Sequence, residues 1–130
     1  MQSNDGGCLC GAIRYRVRGP PLHSVICHCY TCRKASGAPS VAWLTFDRGQ
    51  LEFLAGDPLS FRSSPGVVRR FCGTCGSAIS YENSDSPDTI DLTTLTLDDP
   101  NAYPPTREVW LEHRLAWEAA MRLGLGPGPG

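Results

Sequence analysis

Short stretches in which apolar and polar residues alternate dominate the chain. Residues 12–17, AIRYRV, place apolar side chains on one side and arginines on the other, as a half-buried strand does. Four further stretches are rich in β-branched, aromatic or other apolar residues, namely 40–46, 67–71, 78–81 and 89–95. Scattered glycine and proline residues separate these stretches into short elements. The pattern therefore predicts a mainly β chain whose elements are joined by loops.

Helical patterning is confined to two stretches. Residues 31–36 precede Gly37, which predicts one short helical turn that ends at this glycine. Leucine and alanine recur every four residues from Leu111, which predicts a helix over residues 111–123 near the C-terminus. We therefore expect short helices only, added to a framework of strands.

The composition is that of a single globular domain. The chain has 130 residues, of which 41% are hydrophobic and 19% are charged. Residues 124–130, GLGPGPG, contain only glycine, leucine and proline, which predicts a disordered tail. We therefore expect one domain over residues 1–123.

Charge and hydropathy restrict the partners. The net charge of −1 provides no basic field for a polyanion, which argues against nucleic acid as the main partner. Residues 1–5 are polar and do not resemble a secretory leader. No apolar run approaches the roughly 18 residues of a membrane span. We therefore expect a cytoplasmic protein without a membrane partner, with its cysteines reduced.

Seven cysteines are many for a reduced chain of this length, and metal binding is the usual reason. Cys8 and Cys10 form a C-x-C pair, whose sulfurs share one face of an extended chain. Cys72 and Cys75 form a C-x-x-C-G knuckle, in which Gly76 supplies the positive φ of the turn. Four thiolates are the ligand set of a structural zinc site. The alternative is that Cys8 and Cys10 are small buried hydrophobic residues.

Cys27, Cys29 and Cys32 form a second cluster. The first two share a face of an extended chain, and the third returns to it after a turn. Three protein ligands with an open fourth position are typical of catalytic zinc. His28 points the other way in an extended chain, so we expect it to lie at the surface or to support the ligands. Its binding to the metal would instead close the site.

The ligand chemistry of this second cluster favours a thiol substrate. Three thiolates leave Zn²⁺ with a formal charge of −1, so the metal is a weaker Lewis acid than one held by three histidines. A sulfur-rich site still holds an incoming thiol as thiolate and lowers its pKa. It suits a thiol better than a hydrolytic water.

The order of the motifs resembles the glutathione-dependent formaldehyde-activating enzyme family, which includes centromere-protein-V-like members. The matching segments are 7–11, 27–37, 63–66, 70–76 and 97–99. The resemblance extends over residues 6–117 and includes all seven cysteines. It implies a mainly β fold of the β-tent type with two zinc sites.

By position, the resemblance implies a ligand set for each zinc. The structural zinc ligands are Cys8, Cys10, Cys72 and Cys75, and the ligands of the catalytic, more labile zinc are Cys27, Cys29 and Cys32. The implied activity is that of a carbon–sulfur lyase, which reversibly joins glutathione and formaldehyde to give S-hydroxymethylglutathione. Members of the family often carry a histidine where this chain has residues 107–110, REVW. Glu108 therefore puts the substrate pocket in question, and His113 lies a few residues further on.

Several residues are candidates for contact with an anionic thiol such as glutathione. The cations are Arg33, Lys34, Arg69 and Arg70, and a loop of Ser63, Ser64 and Gly66 could line the pocket. The alternatives are ordinary surface charges and a plain turn. Asp98 and Asp99 are candidates for acid or base, but a turn before Pro100 is the role that the sequence favours for them.

The sequence thus favours a zinc-dependent carbon–sulfur lyase that acts on an adduct of a glutathione-like thiol and a small aldehyde. One alternative is a non-catalytic zinc module that binds a protein or nucleic acid. Another is a redox-sensitive protein that releases zinc from the open site on oxidation. The fourth ligand of the second cluster distinguishes an enzyme from a closed binding module. Strand edges and the predicted helix 111–123 offer surfaces for a homodimer.

Overall fold

The computed structural model describes residues 2–118, and the mainly β fold predicted from the sequence is confirmed. The ten strands of this part are β1 (Ser3–Gly7), β2 (Arg14–Arg18), β3 (His23–Cys27), β4 (Val41–Asp47), β5 (Leu51–Ala55), β6 (Leu59–Ser64), β7 (Val67–Phe71), β8 (Ala78–Asn83), β9 (Thr89–Thr93) and β10 (Arg107–Val109). The helix α1 spans Tyr30–Ser36, and 3-10 helices span Arg48–Gln50, Thr94–Thr96 and Leu111–His113.

The strands form two sheets. The smaller sheet has the order β1-β2-β5, and the larger has the order β10-β3-β4-β9-β8-β7-β6. All pairs are antiparallel except β10 with β3. The main core lies where β2 packs against β4, β8 and β9, and its fully buried side chains include Tyr15, Val17, Leu44, Phe46 and Leu92. The opposite face of the larger sheet is left for a separate cluster of residues.

Strand β2 shows how the alternating pattern forms the core. Tyr15 and Val17 are fully buried, and each contributes about 1.5–3 kcal/mol through burial of its side chain. Burial also raises the pKa of Tyr15 to about 12. Arg14 and Arg16 point outward and pair with aspartates at 2.6 and 2.8 Å. The predicted half-buried strand is therefore present.

Several strands of the structure differ in their bounds from the predicted stretches, and others were not predicted. Strand β7 has the predicted bounds, whereas β9 stops at Thr93 because the chain enters a 3-10 helix at Thr94. Strands β1, β3, β5, β6 and β10 were not predicted. Strand β6 is at the edge of its sheet and four of its six residues are exposed, so it lacks the burial pattern on which such predictions depend.

The two helical predictions had different outcomes. Helix α1 ends at Gly37 (φ 66°), as predicted, and the N–H of Gly37 donates to the carbonyl of Arg33 at 2.8 Å. The short helix expected near the C-terminus begins as the 3-10 helix Leu111–His113, but the extended Arg114 (φ −59°, ψ 140°) interrupts it. Residues 119–123 of that prediction and the predicted tail 124–130 lie outside the described residues. Within residues 2–118, no helix has the length and apolar content of a membrane span.

Candidate functional site

Two turns bring four cysteines together at one end of the two sheets. Cys8 and Cys10 lie between β1 and β2, and Cys72 and Cys75 lie between β7 and β8. The Sγ atom of Cys10 is 3.6 Å from that of Cys8 and 3.7 Å from that of Cys72. The extended chain expected for Cys8 and Cys10 is wrong, because this pair lies in a turn closed by a hydrogen bond from the N–H of Gly11 to the carbonyl of Cys8.

Backbone N–H groups point at the sulfurs of this four-cysteine cluster. The N–H groups of Thr74 and Cys75 each donate to Cys72 Sγ at 3.4 Å, and the N–H of Ile13 donates to Cys8 Sγ at 3.3 Å. Gly76 has the positive φ (80°) expected of the knuckle. Such donors stabilise negative charge on sulfur, which is the form that binds a metal.

The spacing of the four sulfurs fits zinc. In a tetrahedron with Zn–S bonds of about 2.3 Å, neighbouring sulfurs are about 3.8 Å apart. The two distances of 3.6 and 3.7 Å are close to that value, and all four sulfurs lie within 4.8 Å of one another. The pKa of Cys75 is lowered to about 5, chiefly by a hydrogen bond from the hydroxyl of Ser77. The cluster is therefore suited to a closed metal site that joins the two sheets.

A second cluster contains the other three cysteines. Cys27 ends β3, Cys29 precedes α1, and Cys32 lies in the first turn of α1, with the three sulfurs within 4.8 Å of one another. Cys29 Sγ accepts a hydrogen bond from the backbone N–H of Cys32 at 3.4 Å. The pKa of Cys32 is lowered to about 5, first by a hydrogen bond from Cys27 and further by Cys29 and Arg69, although burial opposes the shift. One thiol of the three is thus readily ionised.

His28 lies behind the three-cysteine cluster. Its side chain is fully buried, which corrects the surface position considered from the sequence. Its Nε2 atom is 2.8 Å from Glu108 Oε1, and its Nδ1 atom is 3.3 Å from Glu118 Oε2. Both ring nitrogens therefore face carboxylates, and this supports the interpretation of His28 as a residue behind the ligands. Glu108, the residue that put the substrate pocket in question, thus contacts His28.

Two adjoining cavities meet at the three-cysteine cluster. They have volumes of about 510 and 410 Å³, and both are lined by Cys32, Trp43 and Arg69. The larger cavity extends over Phe61 on β6. The smaller cavity is lined by all three cysteines of the cluster together with Tyr81, Asp91, Trp110 and His113. The sulfurs of this cluster thus border space in which a small molecule can bind.

Arg69 is the cation next to the cluster. Its guanidinium lies 3.7 Å from Cys32 Sγ and donates to Thr31 Oγ1 at 3.2 Å and to Ser63 Oγ at 3.1 Å. It also lies over the ring of Tyr81, 5.0 Å from its centroid. The sequence indicated Arg69 only as a contact for carboxylates. Its contact with sulfur was not foreseen, since it depends on which strand packs beside α1.

The other predicted substrate residues are distributed more widely. Lys34 and Ser63 line the larger cavity. Arg33 donates to the carbonyl of His113 at 3.1 Å. Arg70 also lines that cavity, but its Nε atom pairs with Glu82 at 2.8 Å.

The predicted loop and the acidic pair have structural partners. Ser64 ends β6, and Gly66 (φ 76°) lies in the turn to β7. Asp98 pairs with Arg14 on the smaller sheet, and Asp99 Oδ1 accepts from the N–H of Asn101 at 3.0 Å. The turn interpretation thus accounts for the contact of Asp99, whereas Asp98 forms an ion pair between the 97–99 segment and β2.

Three further side chains of the smaller cavity were not singled out as functional. Trp43 and Tyr81 lie on strands β4 and β8, and their rings pack at 5.9 Å from each other beside the cysteines. Asp91 was treated only as part of a strand. The alternation of β9 gave no signal for it, because a carboxylate beside Thr89 and Thr93 on the polar face is ordinary for a half-buried strand.

Known proteins resemble the chain in sequence and in fold. A family model described as glutathione-dependent formaldehyde-activating enzyme matches residues 3–113. A Halomonas elongata protein, provisionally described as a glutathione-dependent formaldehyde-activating enzyme, is 31% identical over 123 residues, which covers 87% of this chain and 78% of that protein. The crystal structure of a Rhodobacter sphaeroides protein matches with a TM-score of 0.65 and 21% identity, over 81% of this chain and 99% of that one. The structural match concerns the fold alone.

Proposed function

The chain belongs to the glutathione-dependent formaldehyde-activating enzyme family, and we propose that it is a zinc-dependent carbon–sulfur lyase. Its substrate would be the adduct of a glutathione-like thiol and a small aldehyde, which it would form and cleave reversibly. The observation that carries the proposal is the cluster of three sulfurs bordering two cavities, where a fourth ligand can enter.

The two cysteine clusters would hold two zinc ions that have different roles. The structural zinc would be held by Cys8, Cys10, Cys72 and Cys75, and the catalytic zinc by Cys27, Cys29 and Cys32. When bound to three thiolates, zinc supplies a positive centre that lowers the pKa of a thiol ligand. The sulfur donors and their spacing support zinc at both places.

Arg69 would set the charge of the open site. Three thiolates and one divalent cation carry a formal charge of −1, and a substrate thiolate adds another negative charge. The guanidinium 3.7 Å from Cys32 Sγ is the cation that offsets part of this excess. The partner hydroxyls of Thr31 and Ser63 hold the guanidinium in place.

The cavities would orient the two reactants. Trp43 and Phe61 provide apolar walls, and Lys34 provides a cation for a carboxylate of a glutathione-like thiol. A thiol and an aldehyde held next to each other react as if at high local concentration. Ser63 and Arg70 also line the larger cavity and are further proposed substrate contacts. The other predicted contacts, Arg33, Ser64 and Gly66, are not among the residues that line this cavity.

The position of His28 favours an enzyme over a closed binding module. A module would need a fourth protein ligand on the three-cysteine cluster. Both nitrogens of His28 instead face the carboxylates of Glu108 and Glu118. The three-cysteine cluster is therefore open on the side that borders the two cavities.

Metal analysis and a substrate screen test the proposal together. Protein purified without chelator should contain close to two zinc ions per chain. NMR of thiol and aldehyde pairs should show catalysed adduct formation or cleavage, starting with glutathione and formaldehyde, with Cys32→Ser as the control. A single zinc per chain, or no turnover with any pair, would overturn the proposal.

A further inference from the structure

One row of side chains crosses the larger sheet, and three of them line the smaller cavity. The pairing register places Arg69, Tyr81, Asp91, Thr45 and His23 opposite one another on β7, β8, β9, β4 and β3. Residues opposite each other on adjacent strands share one face of a sheet. The row therefore runs from the cation beside Cys32 toward the exposed end at His23.

Asp91 is the carboxylate of this row. It is half-buried and lines the same 410 Å³ cavity as the three sulfurs. Its Oδ1 atom accepts a hydrogen bond from Thr45 Oγ1 at 2.6 Å, which fixes the orientation of the carboxyl group. Asp91 also lines a third cavity, together with Thr45 and His23, so this residue borders open space on two sides.

The surroundings of Asp91 raise the pKa of its carboxyl group. Burial raises its pKa, the charge of Cys32 raises it further, and the hydrogen bond from Thr45 and the charge of His23 oppose these effects. Among the described residues, the other titratable or charged groups that line this cavity are Arg69 and Tyr81 on the same row, and Cys27, Cys29, Tyr30 and His113 around it. A raised pKa keeps the proton on a carboxyl group to higher pH than in a free aspartate, which is the direction that a general acid requires.

We propose that Asp91 is the general acid and base of the thiol–aldehyde reaction, held in position by Thr45. This rests on the proposed function. In the forward direction the thiolate sulfur forms a bond to the carbonyl carbon, and the π pair of the C=O bond moves to oxygen. The carbonyl oxygen takes the proton of Asp91. The Asp91 carboxylate is then protonated again by the proton that the thiol released when it ionised. In reverse, Asp91 removes the hydroxyl proton as the C–S bond breaks, so no oxidant or reductant is needed.

The pair Asp91→Asn and Asp88→Asn tests the proposal in the zinc-loaded protein. Asp91→Asn should lower kcat by about 10²- to 10⁴-fold, because the amide cannot exchange the proton. Its zinc content and its calorimetric affinity for glutathione should stay at the wild-type values. Asp88→Asn makes the same chemical change at an exposed position before the same strand and should match wild type.

Thr45→Val tests the positioning role through the pH profile. Loss of the hydrogen bond removes an effect that lowers the pKa of Asp91, so the alkaline limb of kcat for adduct formation should move to higher pH. An unchanged pH profile of kcat in Thr45→Val would overturn the proposal. This test still applies if Asp91→Asn loses zinc or fails to fold. Wild-type kcat in Asp91→Asn would overturn it and leave the lyase function standing. Absence of turnover in the wild type would instead overturn the proposed function and this inference together.

Discussion

The two cysteine clusters differ in how their ligands are placed along the chain. The four-cysteine cluster joins residues that are 62 positions apart, and it connects the turns of two different sheets. The three-cysteine cluster lies within residues 27–32, on one strand end and the helix that follows. A metal that closes a long loop adds its binding energy to the folding of the whole domain, whereas a local site adds little. On the proposed assignment, the four-cysteine cluster would stabilise the fold and the three-cysteine cluster would be free to serve the chemistry.

Cys72→Ser should produce the largest effect on the fold. Loss of one ligand from the four-cysteine cluster should cost about 3 kcal/mol or more, since a structural zinc contributes directly to folding. For a domain of this size, the melting temperature should fall by roughly 10 °C. Thermal melts and zinc analysis measure both changes. A wild-type melt would contradict the assignment of the closed cluster.

Cys32→Ser is the matched change in the other cluster. We expect activity to fall by at least about 10³-fold, because the variant lacks one of three ligands of the catalytic metal. The melting temperature should stay within a few degrees of wild type, and the zinc content should fall from two per chain to one. A melting temperature as low as that of Cys72→Ser would remove the distinction between the clusters.

Stepwise chelation should separate the clusters without mutation. The cavity side of the three-cysteine cluster admits a competing ligand, whereas in the other cluster four protein sulfurs surround the metal position. The first zinc released to a coloured chelator should therefore abolish activity without changing the melting temperature. Release of the second zinc should lower the melting temperature. Simultaneous loss of both ions would show that the clusters do not differ in lability.

Arg69→Gln should have a smaller effect, confined to the open cluster. Removal of the cation beside Cys32 should raise KM for the thiol about tenfold, the equivalent of about 1.4 kcal/mol in binding. Stability should change little. Arg62→Gln, on the neighbouring strand and exposed, is the matched control. Equal kinetics for the two variants would exclude Arg69 from the charge balance of the site.

The sequence predicted the local features of the molecule well. The knuckle Cys72–Gly76, the helical turn that ends at Gly37 and the half-buried strand β2 each depend on neighbouring residues only. The division of the cysteines into four and three followed from spacing and resemblance, and the structure brings the same sets together. Their ligation by zinc stays a prediction.

The features that depend on tertiary packing could not be predicted. The contact of Arg69 with Cys32 requires β7 to lie beside α1, and 37 positions separate the two residues. The burial of His28 requires the segments of Glu108 and Glu118 to fold over it. Asp91 looked like an ordinary strand residue, since its cavity is formed by elements from both halves of the chain.

The spacing of the ligands also has a consequence for the order in which a nascent chain acquires metal. The three-cysteine cluster is complete once residue 32 has left the ribosome, whereas the four-cysteine cluster must wait for Cys75. The weaker, open cluster is therefore the first that can capture an ion during synthesis. The order of metal capture during translation would therefore be the reverse of the proposed order of stability in the finished protein.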